Sequence, residues 1–159
     1  MKYTIEEIKK ELNSYMNDKK YIEEKLADIE EMRAKMEKTT TEISDMPKGS
    51  NPVADRIAEY IAKIEEIQDE NYKRILVMEE KKKTIENIID ATEQPYKNIL
   101  YFRYIKGYNL IEVAPMIGNE YKWCCVLHGR ALEQYRKIKE ERESGNINVN
   151  WINSVTFMD

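Results

Sequence analysis

The chain has 159 residues, 35% of them charged and 9% aromatic, with five glycines, four prolines and a net charge of −4 at pH 7. That length holds one domain with an extension or two small ones, and few breakers among many charges suit long helices better than sheets. The slightly acidic total argues against a protein that coats nucleic acid by bulk positive charge, and no apolar run nears the ~20 residues that span a bilayer.

The opening residues, MKYTIEEIKKELN, alternate charge without the apolar centre of an export signal, so export is not expected. Cys124 and Cys125 are adjacent within a helical pattern and cannot tie distant segments together. A reducing cytoplasm, that of a bacterial host cell, is the expected location. Charge is unevenly spread. Residues 1–92 hold 17 Lys/Arg against 22 Asp/Glu, whereas 93–142 hold 9 against 6. The later segment is the basic one, mildly so, and affinity drawn from phosphate contacts alone would be modest and salt-sensitive.

In chain order, Thr4 followed by Glu7 is a capping box that opens a first helix. From there Ile5, Ile8, Leu12, Tyr15, Lys19, Ile22, Leu26, Ile29, Arg33 and Met36 repeat at alternating spacings of three and four. Thr39-Thr40-Thr41 is poor helix material and Met46-Pro47-Lys48-Gly49-Ser50-Asn51-Pro52 has loop composition, so the helix is expected to break there. Asn51 is a candidate N-cap with Pro52 in the first helical position. A second heptad runs through Ile57, Tyr60, Ile64, Ile67, Asn71, Arg74, Met78, Lys81, Ile85 and Ile88 and ends near Asp90.

Two helices of matched length, each about 55 Å at 1.5 Å per residue, predict an antiparallel hairpin. Pairing residue i with roughly 93 − i sets Met36 near Ile57, Ile29 near Ile64, Leu26 near Ile67 and Ile8 near Ile85. Lys19, Asn71 and Arg74 then gather mid-seam, where polar groups either fix register or run their stems out to water. Ile61, Ile75, Leu76 and Ile89 lie off this seam. They predict a further apolar face, for the C-terminal helices or for a second copy, and a homodimer through residues 1–92 is expected.

Residues 93–142 read as a helix-turn-helix. A first helix is expected from Pro95 to Ile105, with Ile99, Leu100, Phe102 and Tyr104 packed and Lys97 and Arg103 outward. Gly107 ends it, and Asn109 caps a short helix from Leu110 to Ile117 whose Leu110, Val113, Ala114 and Ile117 share one face. Pro115 implies that this helix is short or distorted. Gly118 turns the chain into a third helix from Glu120 to Lys139, with Cys124, Leu127, Ala131, Leu132 and Tyr135 inward. Gly145 is expected to end it, leaving a tail, 143–159, in which Trp151, Ile152, Val155, Phe157 and Met158 are too apolar for a purely solvated segment.

If the third helix is a recognition helix, Tyr121, Lys122, Trp123, Cys125 and Val126 are aimed at base edges, and His128 and Arg130 at phosphates. Other readings accompany these. Trp123 also suits a core, His128 a structural hydrogen bond, and Cys124 a small packed hydrophobe. Two thiols and one imidazole on a single helix do not close a metal site, so neither metal nor cofactor is expected. With one His and no phosphate-cradling Gly loop, no catalytic constellation stands out, and an enzyme is not expected.

The stretch QPYKNILYFRYIKGYNLIEVAPMIGNEYKWCCVLHGRALEQY resembles the DNA-binding end of the ArpU/RinA-type phage transcriptional regulators. That end is in turn similar to the fourth-region helix-turn-helix of bacterial sigma factors. The resemblance rests on Arg103-Tyr104-Ile105-Lys106-Gly107, on the IxxVAxxIG-like second helix, and above all on Leu127-His128-Gly129-Arg130-Ala131-Leu132. Met46-Pro47-Lys48-Gly49-Ser50 matches the loop such proteins carry between their N-terminal helices, so about two thirds of the chain is covered. It implies an all-α protein, a hairpin followed by a three-helix helix-turn-helix, that binds duplex DNA and regulates phage or prophage transcription, including late or packaging genes. Two departures stand out: Glu120 where the family opens the recognition helix with Ser, and Val126 where it has a basic residue. Two other classes fit the same residues. One is a small-terminase-like DNA-packaging protein, distinguished by ring assembly. The other is a module that contacts RNA polymerase or a sigma factor without reading DNA.

Overall fold

A computed structural model describes the backbone of residues 1–43 and 52–156 and the side chains of residues 1–41 and 52–145. The expected loop 46–50 and the expected N-cap Asn51 lie outside the described residues. The described backbone is all-helical: α1 (Ile5–Ile43), α2 (Pro52–Asp90), α3 (Tyr96–Leu100) running into a π-helical segment (Tyr101–Ile105), α4 (Leu110–Met116) and α5 (Tyr121–Thr156). Two long helices forming an antiparallel hairpin, followed by a three-helix helix-turn-helix, are the fold.

The start of α1 is the capping box its sequence predicts. Thr4 N–H donates to Glu7 Oε2 at 2.9 Å and Glu7 N–H donates to Thr4 Oγ1 at 3.2 Å, which satisfies two otherwise orphaned donors. The helix does not break at the threonine run. Thr39, Thr40 and Thr41 stay helical because each hydroxyl donates to the carbonyl four residues back, at 2.8, 2.8 and 3.0 Å. Pro52 opens α2, where its missing N–H is harmless.

Antiparallel pairing follows from two bridges. Lys81 Nζ donates to Ser14 Oγ at 2.8 Å, and the Arg74 guanidinium lies 4.1 Å from the Tyr21 ring centroid. Seven residues forward on α1 correspond to seven back on α2. The observed register is two residues from the expected one, within the reach of the side chains involved.

Contacts divide the chain into two compact units that cut across the long helices. The first joins Met1–Met16 to Glu80–Asp159; the second is Asn17–Glu79. In the first unit, Ile8, Leu12 and Tyr15 of α1 and Ile85, Ile88 and Ile89 of α2 are buried together with Leu100, Leu132 and Tyr135. In the second, Ile22, Ile29, Ile64 and Asn71 are buried, but Leu26, expected in the seam, is 49% exposed. Here each helix turns one heptad row inward and leaves the neighbouring row at the rim.

The last helix is longer than its sequence suggests. It continues through Gly145 to Thr156 and does not end at Gly145. A glycine inside a helix costs only about 1 kcal/mol relative to alanine. Just before it, α5 is pinned to the N-terminus: the backbone N–H groups of Lys2 and Tyr3 donate to Glu140 Oε1 at 2.8 and 2.9 Å, and the Tyr3 hydroxyl donates to Glu143. Lys139 Nζ reaches Glu11 at 2.6 Å. The side chains of Trp151, Ile152, Val155, Phe157 and Met158 lie outside the described residues.

Candidate nucleic-acid interface

The C-terminal helices are held by a compact core of Ile99, Val113, Ala114, Cys124 and Leu127, with Tyr96, Phe102, Leu110 and Ile117 packed against it. Each comes from the apolar face that helical spacing assigns to its segment. Asn109 caps α4 by accepting the Glu112 N–H at 2.9 Å. The two turns need left-handed backbone, and each has a glycine: Gly107 at φ +85° and Gly118 at φ +71°. At Gly107 a Cβ would come within 2.6 Å of Met16 Cε, the flexible end of an α1 side chain that can shift aside, so it is the left-handed backbone that calls for glycine there.

The π-helical segment was not legible in the sequence. Its mark is Lys106 N–H donating to Tyr101 O at 3.0 Å, five residues back. The reason lies in what must be buried. Ile99 with Leu100, and Tyr104 with Ile105, are all at most 3% exposed. Residues five apart on an α-helix diverge by about 140° at 3.6 residues per turn. One wider turn returns the second pair to the side of the first.

From this core the first two turns of α5 present Tyr121, Lys122, Trp123 and Val126 outward, all exposed, with Arg130 exposed one turn further on. Arg130 lies 5.2 Å from the Trp123 ring centroid, a cation over an aromatic face two turns away on the same side of the helix. Cys125 is half-buried, and its hydrogen bond with the Tyr121 hydroxyl is the first cause of that phenol's raised pKa.

His128 differs from the others. Its Nε2 is 2.7 Å from the Tyr104 hydroxyl and its ring stacks on the Tyr104 ring at 28°, with centroids 5.7 Å apart. Burial first, and then the nearby Arg103 and Lys9 charges, lower its pKa to about 4. Burial likewise pushes Tyr104 up to about 12. His128 is therefore a neutral, inward hydrogen-bonder near pH 7 and supplies no positive charge to a phosphate.

Glu120 directly precedes α5, and its carbonyl accepts the Cys124 N–H at 2.9 Å. Its carboxylate sits at the positive end of the helix dipole and offsets part of the attraction for an anion there. Ile111, 66% exposed, and Met116, 47% exposed, add apolar surface on α4 that sequence reading passed over. The signal was available: both lie off the apolar face defined by Leu110, Val113, Ala114 and Ile117. Among the described residues, no group of three or more His, Cys, Asp or Glu side chains is placed to hold a metal ion. No described helix is long and apolar enough to cross a membrane. No protein-family model, no curated protein and no solved structure matches this chain.

Proposed function

We propose that this protein is a sequence-specific DNA-binding transcription regulator of the phage or prophage type, with α5 as its recognition helix. The observation that carries this reading is the outward surface at the start of α5. Lys122 and Arg130 supply cations, and Tyr121, Trp123 and Val126 supply apolar and aromatic contacts. Helix-turn-helix proteins direct such a surface into the major groove, where lysine donates to guanine and apolar groups meet thymine methyls. The resemblance of Leu127 to Leu132 to phage late-gene regulators supports a role in control of late or packaging genes. A dimer would carry two such helices and read two half-sites.

A second reading has an observation of its own. Ile111, Met116, Trp123 and Val126 make the helix-turn-helix surface apolar for a DNA reader, and Glu120 lowers its positive potential. Those features suit a protein surface such as RNA polymerase or a sigma factor.

Selection from a random duplex library across a salt series tests the first reading against the second. An enriched motif is expected, and Lys122→Ala with Arg130→Ala should weaken binding to it at least about tenfold with helicity unchanged. Failure to enrich any sequence, with only weak salt-labile binding left, would transfer the assignment to the protein-contacting role.

A further inference from the structure

Two glycines, Gly129 and Gly145, sit inside α5 with ordinary helical backbone. At neither would a Cβ meet any atom within 4 Å among the described residues. Glycine is, after proline, the residue least favourable to a helix. Neither conformation nor packing within the chain therefore accounts for the bare position 129, in the third turn of α5. Glycine also serves where a ligand must approach the backbone closely.

The surroundings of Gly129 indicate what approaches. It is the floor of a shallow hollow walled by Val126, Arg130, Glu133, Gln134 and Lys137. Gln134 is fixed, because its Oε1 accepts the Glu93 N–H at 2.8 Å. Glu133, the one carboxylate there, accepts from Arg136 Nη2, which offsets its charge. Arg130 and Lys137 are exposed, and among the described residues neither has a carboxylate within 4 Å. Lys9, Lys25, Arg33, Lys35 and Lys82 of the hairpin each have one, three or four residues away. Arg130 is instead steadied over the Trp123 ring. A bare floor between two cations without carboxylate partners suits a compact anion.

We infer that a phosphate of the DNA backbone seats on Gly129 and is bound by Arg130 and Lys137. This rests on the DNA-binding reading and names the place where α5 meets the sugar–phosphate strand. The distance agrees. Lys122 and Arg130 are eight residues apart, about 12 Å along the helix at 1.5 Å per residue. The major groove is about 12 Å wide. A helix whose first turn reaches base edges therefore brings its third turn to the rim of the groove. A methyl group at position 129 would lift the strand away and lengthen both cation contacts.

Gly129→Ala separates this role from a structural one, because its two expected effects have opposite signs. The thermal midpoint should rise by about 2–4 °C as the helix gains an alanine. Affinity for duplex DNA should fall at least about tenfold, as for loss of a charge-assisted contact. The fall should be equal for a motif enriched from a random library and for a scrambled duplex, since phosphates carry no sequence information. The slope of log affinity against log salt should flatten by roughly one, as it should in Lys137→Ala. Gly145→Ala should gain similar stability and bind DNA unchanged. Undiminished binding by Gly129→Ala, beside a wild-type chain that binds duplex, overturns the phosphate seat and leaves the recognition helix standing. A loss confined to the enriched motif assigns Gly129 to a base edge and overturns it too. So does a lowered midpoint, which would make glycine a requirement of the fold. A wild-type chain that binds no duplex overturns the DNA reading itself, and the seat with it.

Discussion

Ile61 and Ile89 stand four heptads apart on α2 and belong to the same row, yet one is 43% exposed and the other 1%. On α1, Leu12 and Leu26 are two heptads apart in one row, at 0% and 49%. Between the members of each pair neither the residue type nor its heptad position changes. What changes is whether further helices flank the hairpin. In the unit that contains residues 1–16 and 80–159, the C-terminal helices supply a third wall. In the unit formed by residues 17–79 there are two helices only. Heptad periodicity specifies which residues face a seam, but how many helices meet there depends on the rest of the chain.

The largest expected effect tests that contrast directly. Ile89→Ala should cost about 3–4 kcal/mol in equilibrium unfolding, because it removes methyl groups from a site with no solvent to fill the gap. Ile61→Ala, measured where the chain is monomeric, should cost less than about 1 kcal/mol. Equal costs would mean that this row is covered along its whole length within a single chain.

The next effect separates the units by pH. The pKa of His128 is about 4 in the folded chain against an ordinary 6.5, so unfolding takes up a proton between those values. Its contribution is complete above pH 6.5 and is lost as the pH falls towards 4. Allowing for partial solvent contact, on the order of 2 kcal/mol should disappear over that interval. Denaturant unfolding of His128→Gln should show a correspondingly flatter pH profile, and a profile as steep as that of the unaltered chain would assign the slope to other groups.

The smallest expected effect concerns the module's own assembly. Asn109→Ala removes the cap of α4 and should cost about 1 kcal/mol. Loss of the cap would also loosen the Val113–Ala114 contact with α5, so the slope of the thermal transition, and not only its midpoint, should be examined. A change below a few tenths would show that packing alone holds α4 in place.

Much of the fold was legible because it is written locally. The Thr4–Glu7 box, the Asn109 cap, the glycines at 107 and 118 and the inward row Cys124, Leu127, Ala131, Leu132 and Tyr135 are each set by residues within a few turns of one another. The candidate site was legible to the same extent: outward Lys122, Trp123, Val126 and Arg130 follow from the inward row by subtraction. What escaped reading is not local. The π turn exists because two pairs of side chains, five residues apart, both must reach one core. That His128 suits a structural hydrogen bond was legible, but its partner, Tyr104, lies 24 positions earlier and was not. The clamp of Lys2 and Tyr3 on Glu140 and Glu143 joins residues 137 to 141 positions apart, and no spacing rule reaches that far.

That clamp bears on the order in which the molecule can be made. Residues 1–16 leave the ribosome well before the groups that hold them, which begin at Glu80 and extend to Glu143. At about 5–20 residues per second, the 64 residues from Glu80 to Glu143 alone take roughly 3–13 s to synthesise. Throughout that interval Ile8, Leu12 and Tyr15 must wait without their final neighbours. These early-made residues are among the last to be locked, and a nascent chain halted before Glu140 would leave Lys2 and Tyr3 unclamped however well its hairpin had formed.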